Sequence, residues 1–126
     1  MNYQYNHDYF PPAPFVDVVF VTPAEPLYTS VLPAFVDSGA DGTIVPIHYL
    51  EEIQALPTVE MSIRSQWGEG RSVMLYLVDV RIGNLTLPGI EVVGDEISQE
   101  IVLGRAILNR LRILLNGPKD RVEVSE

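Results

Sequence analysis

The fold is decided by the stretch Ala34-Phe35-Val36-Asp37-Ser38-Gly39-Ala40-Asp41-Gly42-Thr43-Ile44-Val45-Pro46. An apolar run delivers a carboxylate at Asp37, and the apolar pattern then resumes at Ile44. Removing a carboxylate from water costs free energy unless hydrogen bonds or a shared proton offset the cost. Gly39 permits a tight backbone turn beneath the acid, and Ser38 supplies a hydroxyl group for hydrogen bonding. The stretch therefore predicts a loop that presents an acid to a cleft.

Two segments together resemble the retropepsin-like aspartic proteases. The first is Asp37-Ser38-Gly39-Ala40-Asp41, which follows that family's Asp-Thr/Ser-Gly-Ala pattern, and the second is Ile101-Val102-Leu103-Gly104-Arg105. The resemblance implies an all-β fold: a closed acid-protease-type β-barrel with a flap hairpin and one short C-terminal helix. Such a domain forms one half of a dimeric pepsin-like architecture. We expect it over residues 15–126.

Composition narrows the range of functions. With 126 residues, 47% of them apolar, the chain is expected to form one globular domain. It has no cysteine and only two separate histidines, His7 and His48, which argues against a disulfide framework, a metal site or any cofactor. A net charge of −9 argues against nucleic acid as a partner. No long apolar run or signal pattern appears, so neither a membrane partner nor secretion is expected, and the predicted location is cytoplasmic.

Local patterns predict the order of the elements. Strands are expected at 15–21, 27–32, 90–94 and 101–103, a helical turn at 46–53, a hairpin at 59–82, a short helix at 106–111 and a terminal hairpin at 112–124. The exposed edges of the terminal hairpin make it a candidate for pairing with a second chain.

Residues 1–14 are expected to form an arm rather than a strand, because prolines at positions 11, 12 and 14 lack the N–H groups that a sheet needs. Two interpretations of this arm stay open. It is either a loose terminus or an arm that packs on a partner subunit through its aromatic side chains, which are Tyr3, Tyr5, Tyr9 and Phe10.

The tip of the 59–82 hairpin contains two glycines and the only tryptophan of the chain. In the resembled family this hairpin is the flap that closes over a bound peptide. The resemblance therefore implies that substrate is contacted by tip residues, namely Gln66, Trp67, Gly68, Glu69 and Gly70. The alternative is an ordinary hairpin whose tryptophan packs back onto the barrel.

Hydrolysis of a peptide by carboxylates needs two acids that share one proton. This chain has a single Asp-Ser-Gly motif, and Asp41 lies beyond the glycine turn. Asp17 and Asp79 lie within predicted strands and lack the loop chemistry. The second acid is therefore expected from another molecule, which predicts a homodimer with the two Asp37 carboxylates meeting on a two-fold axis.

The remaining roles follow from the resemblance alone. Ser38 would hydrogen-bond across the dimer, and Gly39 would offer backbone groups to the substrate. Asp41, beside the substrate, would form a partly buried ion pair with Arg105, which follows Gly104 and braces the loop against the helix. The chain departs from the family pattern at three positions, since it has Ser38 for the commoner threonine, Gly42 for an acid and Ala106 for Asp or Asn.

Three hypotheses about function follow. The first is a dimeric aspartic endopeptidase that cleaves peptides or proteins. The second is a retropepsin-like dimerisation or peptide-binding module with weak or no catalysis. The third is an unrelated small β-barrel in which Asp37 caps a turn.

Overall fold

The computed structural model describes residues 1–64 and 70–126, apart from the side chains of Ile63 and Arg64. The strands are β1 (Asn2–Gln4), β2 (Phe15–Val21), β3 (Leu32–Val36), β4 (Ile44–Pro46), β5 (Leu56–Arg64), β6 (Gly70–Ile82), β7 (Leu85–Asp95), β8 (Ile101–Leu103), β9 (Arg112–Asn116) and β10 (Arg121–Ser125). The helices are α1 (Ile47–Glu52) and α2 (Arg105–Leu108), and a 3-10 turn spans Gly117–Lys119. None of the described helices is long and apolar enough to cross a membrane.

Six strands close into a barrel. Their order is β2-β3-β8-β4-β7-β6, and β6 pairs back onto β2 to complete the ring. The β3–β8 and β4–β7 pairings are parallel and the others are antiparallel. β5 pairs with β6 outside the ring and forms the predicted hairpin with it. The predicted closed all-β barrel with a hairpin is thereby confirmed.

The barrel is filled by alternating side chains of its strands. In β2 the side chains of Val16, Val18 and Phe20 are buried, whereas Asp17 between them is exposed. The strand at 15–21 was predicted from its β-branched and aromatic residues between prolines, and the structure confirms it. The helices add Leu50 and Ile107, both fully buried.

The prediction of a strand at 27–32 is wrong. Between Leu27 and Val31 only Tyr28 makes an isolated bridge, to Val21, and β3 begins at Leu32. Thr29 replaces regular pairing there, because its N–H donates to the carbonyl of Phe20 and its hydroxyl accepts from the Phe20 N–H. Pro33 lies inside β3, where its missing N–H is tolerated because β8 pairs with β3 only from residue 34 onward.

The prediction that residues 1–14 contain no strand is also wrong. β1 pairs with β10, which also pairs with β9, so that both chain ends join one three-stranded sheet. The prolines lie at positions 11, 12 and 14, so they leave the N–H groups of Asn2–Gln4 able to pair. Tyr3 and Tyr5 pack against the core of the same chain.

The described residues form two α-helices, of which α1 matches the turn predicted at 46–53. α2 begins at Arg105 and ends at Leu108, so it is shorter than the predicted 106–111. After Leu108 the chain makes two further turns, in which the N–H groups of Arg110 and Leu111 donate to carbonyls three residues back, before β9 begins.

Candidate active site

The acid-bearing loop leaves the barrel where β3 and β8 end side by side. Val36 is paired with Leu103, and the N–H of Asp37 donates to the carbonyl oxygen of Leu103 at 3.0 Å. The N–H of Ala40 returns to the carbonyl oxygen of Asp37 at 3.2 Å, which closes the turn. Two strand ends thus fix the backbone of Asp37.

The carboxylate of Asp37 is held by its own loop. Its Oδ1 accepts the N–H of Gly39 at 2.9 Å. A Cβ at position 39 would lie 3.1 Å from that oxygen, so glycine leaves room for the carboxylate to fold over the backbone. Asp37 is half-buried, and Ser38 and Gly39 are exposed. The structure presents an acid at the surface with one oxygen already positioned.

Gly104 supports this loop from below by direct backbone contact. A Cβ there would lie 2.1 Å from the carbonyl oxygen of Gly42 and 2.8 Å from that of Ala40. The N–H of Gly104 donates to the hydroxyl of Thr43, a fully buried side chain, at 3.2 Å. Sequence reasoning missed Thr43, although a hydroxyl between Gly42 and the apolar Ile44 was a usable signal.

Arg105 holds the loop from the side of α2. Its Nη1 donates to the carbonyl oxygen of Ser38 at 2.8 Å, and its Nη2 contacts Oδ1 of Asp41. Backbone bonds add to this, since the N–H of Arg105 donates to the carbonyl oxygen of Ala40 at 2.8 Å. Arg105 therefore joins the loop to the helix at three points.

The Asp41–Arg105 pair is more exposed than the partly buried pair that was expected. The side chain of Asp41 is 91% exposed and that of Arg105 is 43% exposed. Ion pairs in this setting contribute little to stability, because water screens both charges. The bond from the guanidinium to the Ser38 carbonyl is the part of the contact that fixes the loop backbone.

No second acid meets Asp37 within the described part of the chain. None of the hydrogen bonds between described residues joins its carboxylate to another carboxyl group. Asp41 is directed to Arg105 instead. Over residues 1–64 and 70–126, no three His, Asp or Glu side chains cluster as metal ligands would. The loop of one chain therefore offers one acid.

Comparison with solved structures identifies the fold. A retropepsin-like aspartic protease from Rickettsia conorii matches with a TM-score of 0.66 at 15% identity, over 97% of this chain and 86% of that chain. The EIAV protease complexed with the inhibitor HBY-793 matches with a TM-score of 0.57 at 16% identity, over 78% of this chain and 86% of that one. The retroviral protease-like domain of Ddi1 from Leishmania major matches with a TM-score of 0.55 at 19% identity, over 89% of both chains.

The fold is retropepsin-like. No family model matches the chain, and a search of curated proteins found no match. Because the identities are this low, the likeness concerns the fold. The roles of individual residues have to be argued from the geometry of this chain.

The β5–β6 hairpin is the one that the resemblance predicts to be a flap. Gly70 is the first residue of β6 and is paired with Arg64. The other predicted substrate-binding residues of the tip, Gln66, Trp67, Gly68 and Glu69, lie outside the described residues. Their contact with substrate stays a prediction, as do the roles of Gly39 and Asp41.

An apolar groove lies beside the acid-bearing loop of the retropepsin-like barrel. Its volume is about 250 Å³, and its lining includes Ser38, Leu111, Ile113 and Leu115. Leu114 and Leu115 of β9 are 55% and 51% exposed. β9 pairs only with β10 among the described strands, so its other edge has unpaired backbone groups. One face of the molecule thus combines the loop, the groove and a strand edge.

Proposed function

We propose that the protein is a homodimeric aspartic endopeptidase in which two Asp37 carboxylates, one per subunit, activate a water molecule. The observation that carries this proposal is the Asp37 loop. Its acid is half-buried at the surface, its Oδ1 is held by the Gly39 N–H, and its backbone is braced by Gly104 and Arg105. These contacts support the proposal, because a catalytic group has to be held in a defined geometry.

The chemistry requires the two acids to differ in protonation. Two carboxyl groups about 3 Å apart cannot both ionise, so the pair shares one proton. The ionised Asp37 would take a proton from water as the water oxygen bonds to the peptide carbonyl carbon. The protonated Asp37 would give its proton to the carbonyl oxygen. Collapse of the tetrahedral intermediate then breaks the C–N bond. The nitrogen would gain the proton that the first Asp37 took from water, while the second Asp37 would take a proton from a hydroxyl of the intermediate, and no covalent bond to the protein forms.

The second copy is expected on the face that carries Ser38 and β9. Antiparallel pairing of β9 with the β9 of a second copy would satisfy the unpaired strand edge and bury Leu114 and Leu115. Because Ser38 and Leu115 line one groove, the same contact would bring the two loops together. Ser38 hydroxyls could then hydrogen-bond across the two-fold axis. A cytoplasmic location stays a prediction.

The test is cleavage of a diverse peptide mixture at mildly acidic pH, followed by mass spectrometry. Asp37→Asn is expected to lower cleavage by a factor of about 10² to 10⁴ or more, because the amide cannot exchange the proton. Asp79→Asn is the matched control, since Asp79 accepts the N–H of Gly89 within the barrel and should leave cleavage unchanged. Sedimentation of each variant should show the same dimer.

Two outcomes contradict the proposal. Cleavage by Asp37→Asn at the wild-type rate would show that this acid is not the catalyst. A wild-type dimer that binds a statine-type transition-state mimic or peptides but cleaves none of them would favour the alternative function, a peptide-binding or dimerisation module.

A further inference from the structure

Asp95 is the only charged residue among the buried residues of the described chain, with 6% of its surface exposed. It ends β7 and precedes the loop at 96–100. A buried carboxylate is costly unless donors surround it, and this one accepts three hydrogen bonds. They come from the N–H groups of Ile97 and Ser98, at 3.1 Å each, and from Nη2 of Arg71 at 3.0 Å.

Arg71 belongs to the part of the hairpin that projects beyond the barrel. Pairing between β6 and β7 ends at Met74 and Gly94, so residues 70–73 are paired with β5 alone. Arg71 reaches back from this projecting stem to the end of β7. Among the described residues, its bond to Asp95 is the only side-chain hydrogen bond or ion pair that joins the stem to the rest of the molecule.

The other two bonds of Asp95 order the loop that leads to the candidate active site. Ser98, whose N–H donates to Asp95, uses its hydroxyl to accept the N–H of Glu100 at 3.0 Å. Glu100 precedes β8, whose last residue, Leu103, accepts the N–H of Asp37. One carboxylate therefore connects the hairpin stem to the segment that ends beneath the catalytic loop.

A cavity of about 210 Å³ lies between the two parts that Asp95 joins. Arg71, Val73 and Met74 line it from the hairpin, and Glu96 and Ile97 line it from the loop. The distance between stem and loop sets the width of this cavity. The ion pair thus has a direct geometric effect on the space between hairpin and wall.

We propose that Arg71 and Asp95 are positioning residues, which hold the hairpin stem against the 96–98 loop and so preform the wall of the peptide-binding cleft. The inference rests on the proposed peptidase function for its effect on substrate. Without the pair, the stem samples other positions, and peptide binds only to molecules whose stem lies in the position seen here. The apparent affinity for peptide then falls in proportion to the fraction of molecules that can bind it, whereas the chemical step is unaffected.

The decisive variant is Arg71→Met, because Arg71 is 42% exposed and its loss should not prevent folding. Arg81→Met is the matched control, since Arg81 lies on the same strand but within the barrel pairing of β6 with β2 and β7. Arg71→Lys keeps the positive charge without the planar guanidinium, so its behaviour should lie between those of wild type and Arg71→Met. Asp95→Asn keeps the shape of the carboxylate and removes its charge.

The first measurement, hydrogen exchange of residues 70–74 without substrate, does not depend on activity. Arg71→Met and Asp95→Asn are each expected to speed exchange there by roughly tenfold, and the double variant should add little, because both changes break one interaction. The second measurement is peptide cleavage. KM is expected to rise about five- to tenfold in both variants with kcat within about twofold of wild type.

The outcomes separate this inference from the proposed function. If exchange at 70–74 and KM in Arg71→Met match those of Arg81→Met, the positioning role is refuted even if the wild type cleaves peptides. If the wild type cleaves no peptide but exchange rises as expected, the tether stands and the peptidase proposal fails. A fall in kcat with unchanged KM would also overturn the inference.

Discussion

Gly104→Ala is expected to damage both stability and activity, although the backbone at this position suits any residue. Gly104 has φ −94° and ψ −174°, an extended conformation, so the substitution causes no backbone strain of its own. The damage comes from contact, because the new Cβ would lie 2.1 Å from the Gly42 carbonyl oxygen. The loop at 40–42 would have to retreat by more than about 1 Å to restore an ordinary contact distance of about 3.5 Å.

The size of the effect follows from two contributions. Overpacking of a tight contact typically costs about 1–3 kcal/mol. The retreat also disturbs the hydrogen bond from the Arg105 N–H to the Ala40 carbonyl, worth about 0.5–1.5 kcal/mol. We therefore expect the free energy of unfolding to fall by about 2–4 kcal/mol. A displacement of about 1 Å at the Asp37 loop should lower kcat/KM about 10²-fold.

Urea unfolding at a fixed protomer concentration measures the first effect, and peptide cleavage the second. Gly42→Ala is the matched control, because a Cβ at Gly42 meets nothing within 4 Å. Its free energy of unfolding should stay within about 0.5 kcal/mol of wild type. If Gly104→Ala is as stable and active as Gly42→Ala, the loop does not rest on Gly104 and the reasoning is refuted.

Three further predictions follow. Burial alone would raise the pKa of Asp95, but the N–H groups of Ile97 and Ser98 and the Arg71 guanidinium outweigh it and hold that pKa below 3.8. The stability that this charge contributes is therefore present above pH 3.8 and lost as the pH falls through the lower folded pKa. The difference in unfolding free energy between wild type and Asp95→Asn should be constant above about pH 5 and shrink below about pH 4, and a constant difference across that range would contradict the assignment. Thr43→Val should lower the unfolding free energy by about 1–3 kcal/mol in urea titrations, because the Gly104 N–H loses its acceptor. An unchanged midpoint would mean that this hydrogen bond contributes nothing to stability. Leu115→Lys should shift sedimentation from dimer to monomer and abolish cleavage while leaving the circular dichroism spectrum intact, and an active dimer would exclude β9 as the interface.

Local sequence patterns were sufficient for the parts of this protein that depend on neighbouring residues. β-branched and aromatic residues predicted β2, alternation predicted the hairpin, and the run that ends in Asp37-Ser38-Gly39 predicted the acid-bearing loop. The Asp41–Arg105 contact was predicted from a known pattern of motifs rather than from local chemistry. The same local logic erred where a side chain replaced backbone pairing, as Thr29 does before β3.

Tertiary structure alone decided which distant segments meet. β1 pairs with β10 across almost the whole chain, and β6 closes the barrel against β2. Position 104 needs glycine because the carbonyl of Gly42 lies against it. Asp95 gains its role because Arg71 on another strand donates to it. Periodicity records which face of a strand is buried, but it carries no information about the partner that covers that face. Hence the acid and its loop could be predicted from the sequence, whereas the contacts that hold them in place could be found only in the folded chain.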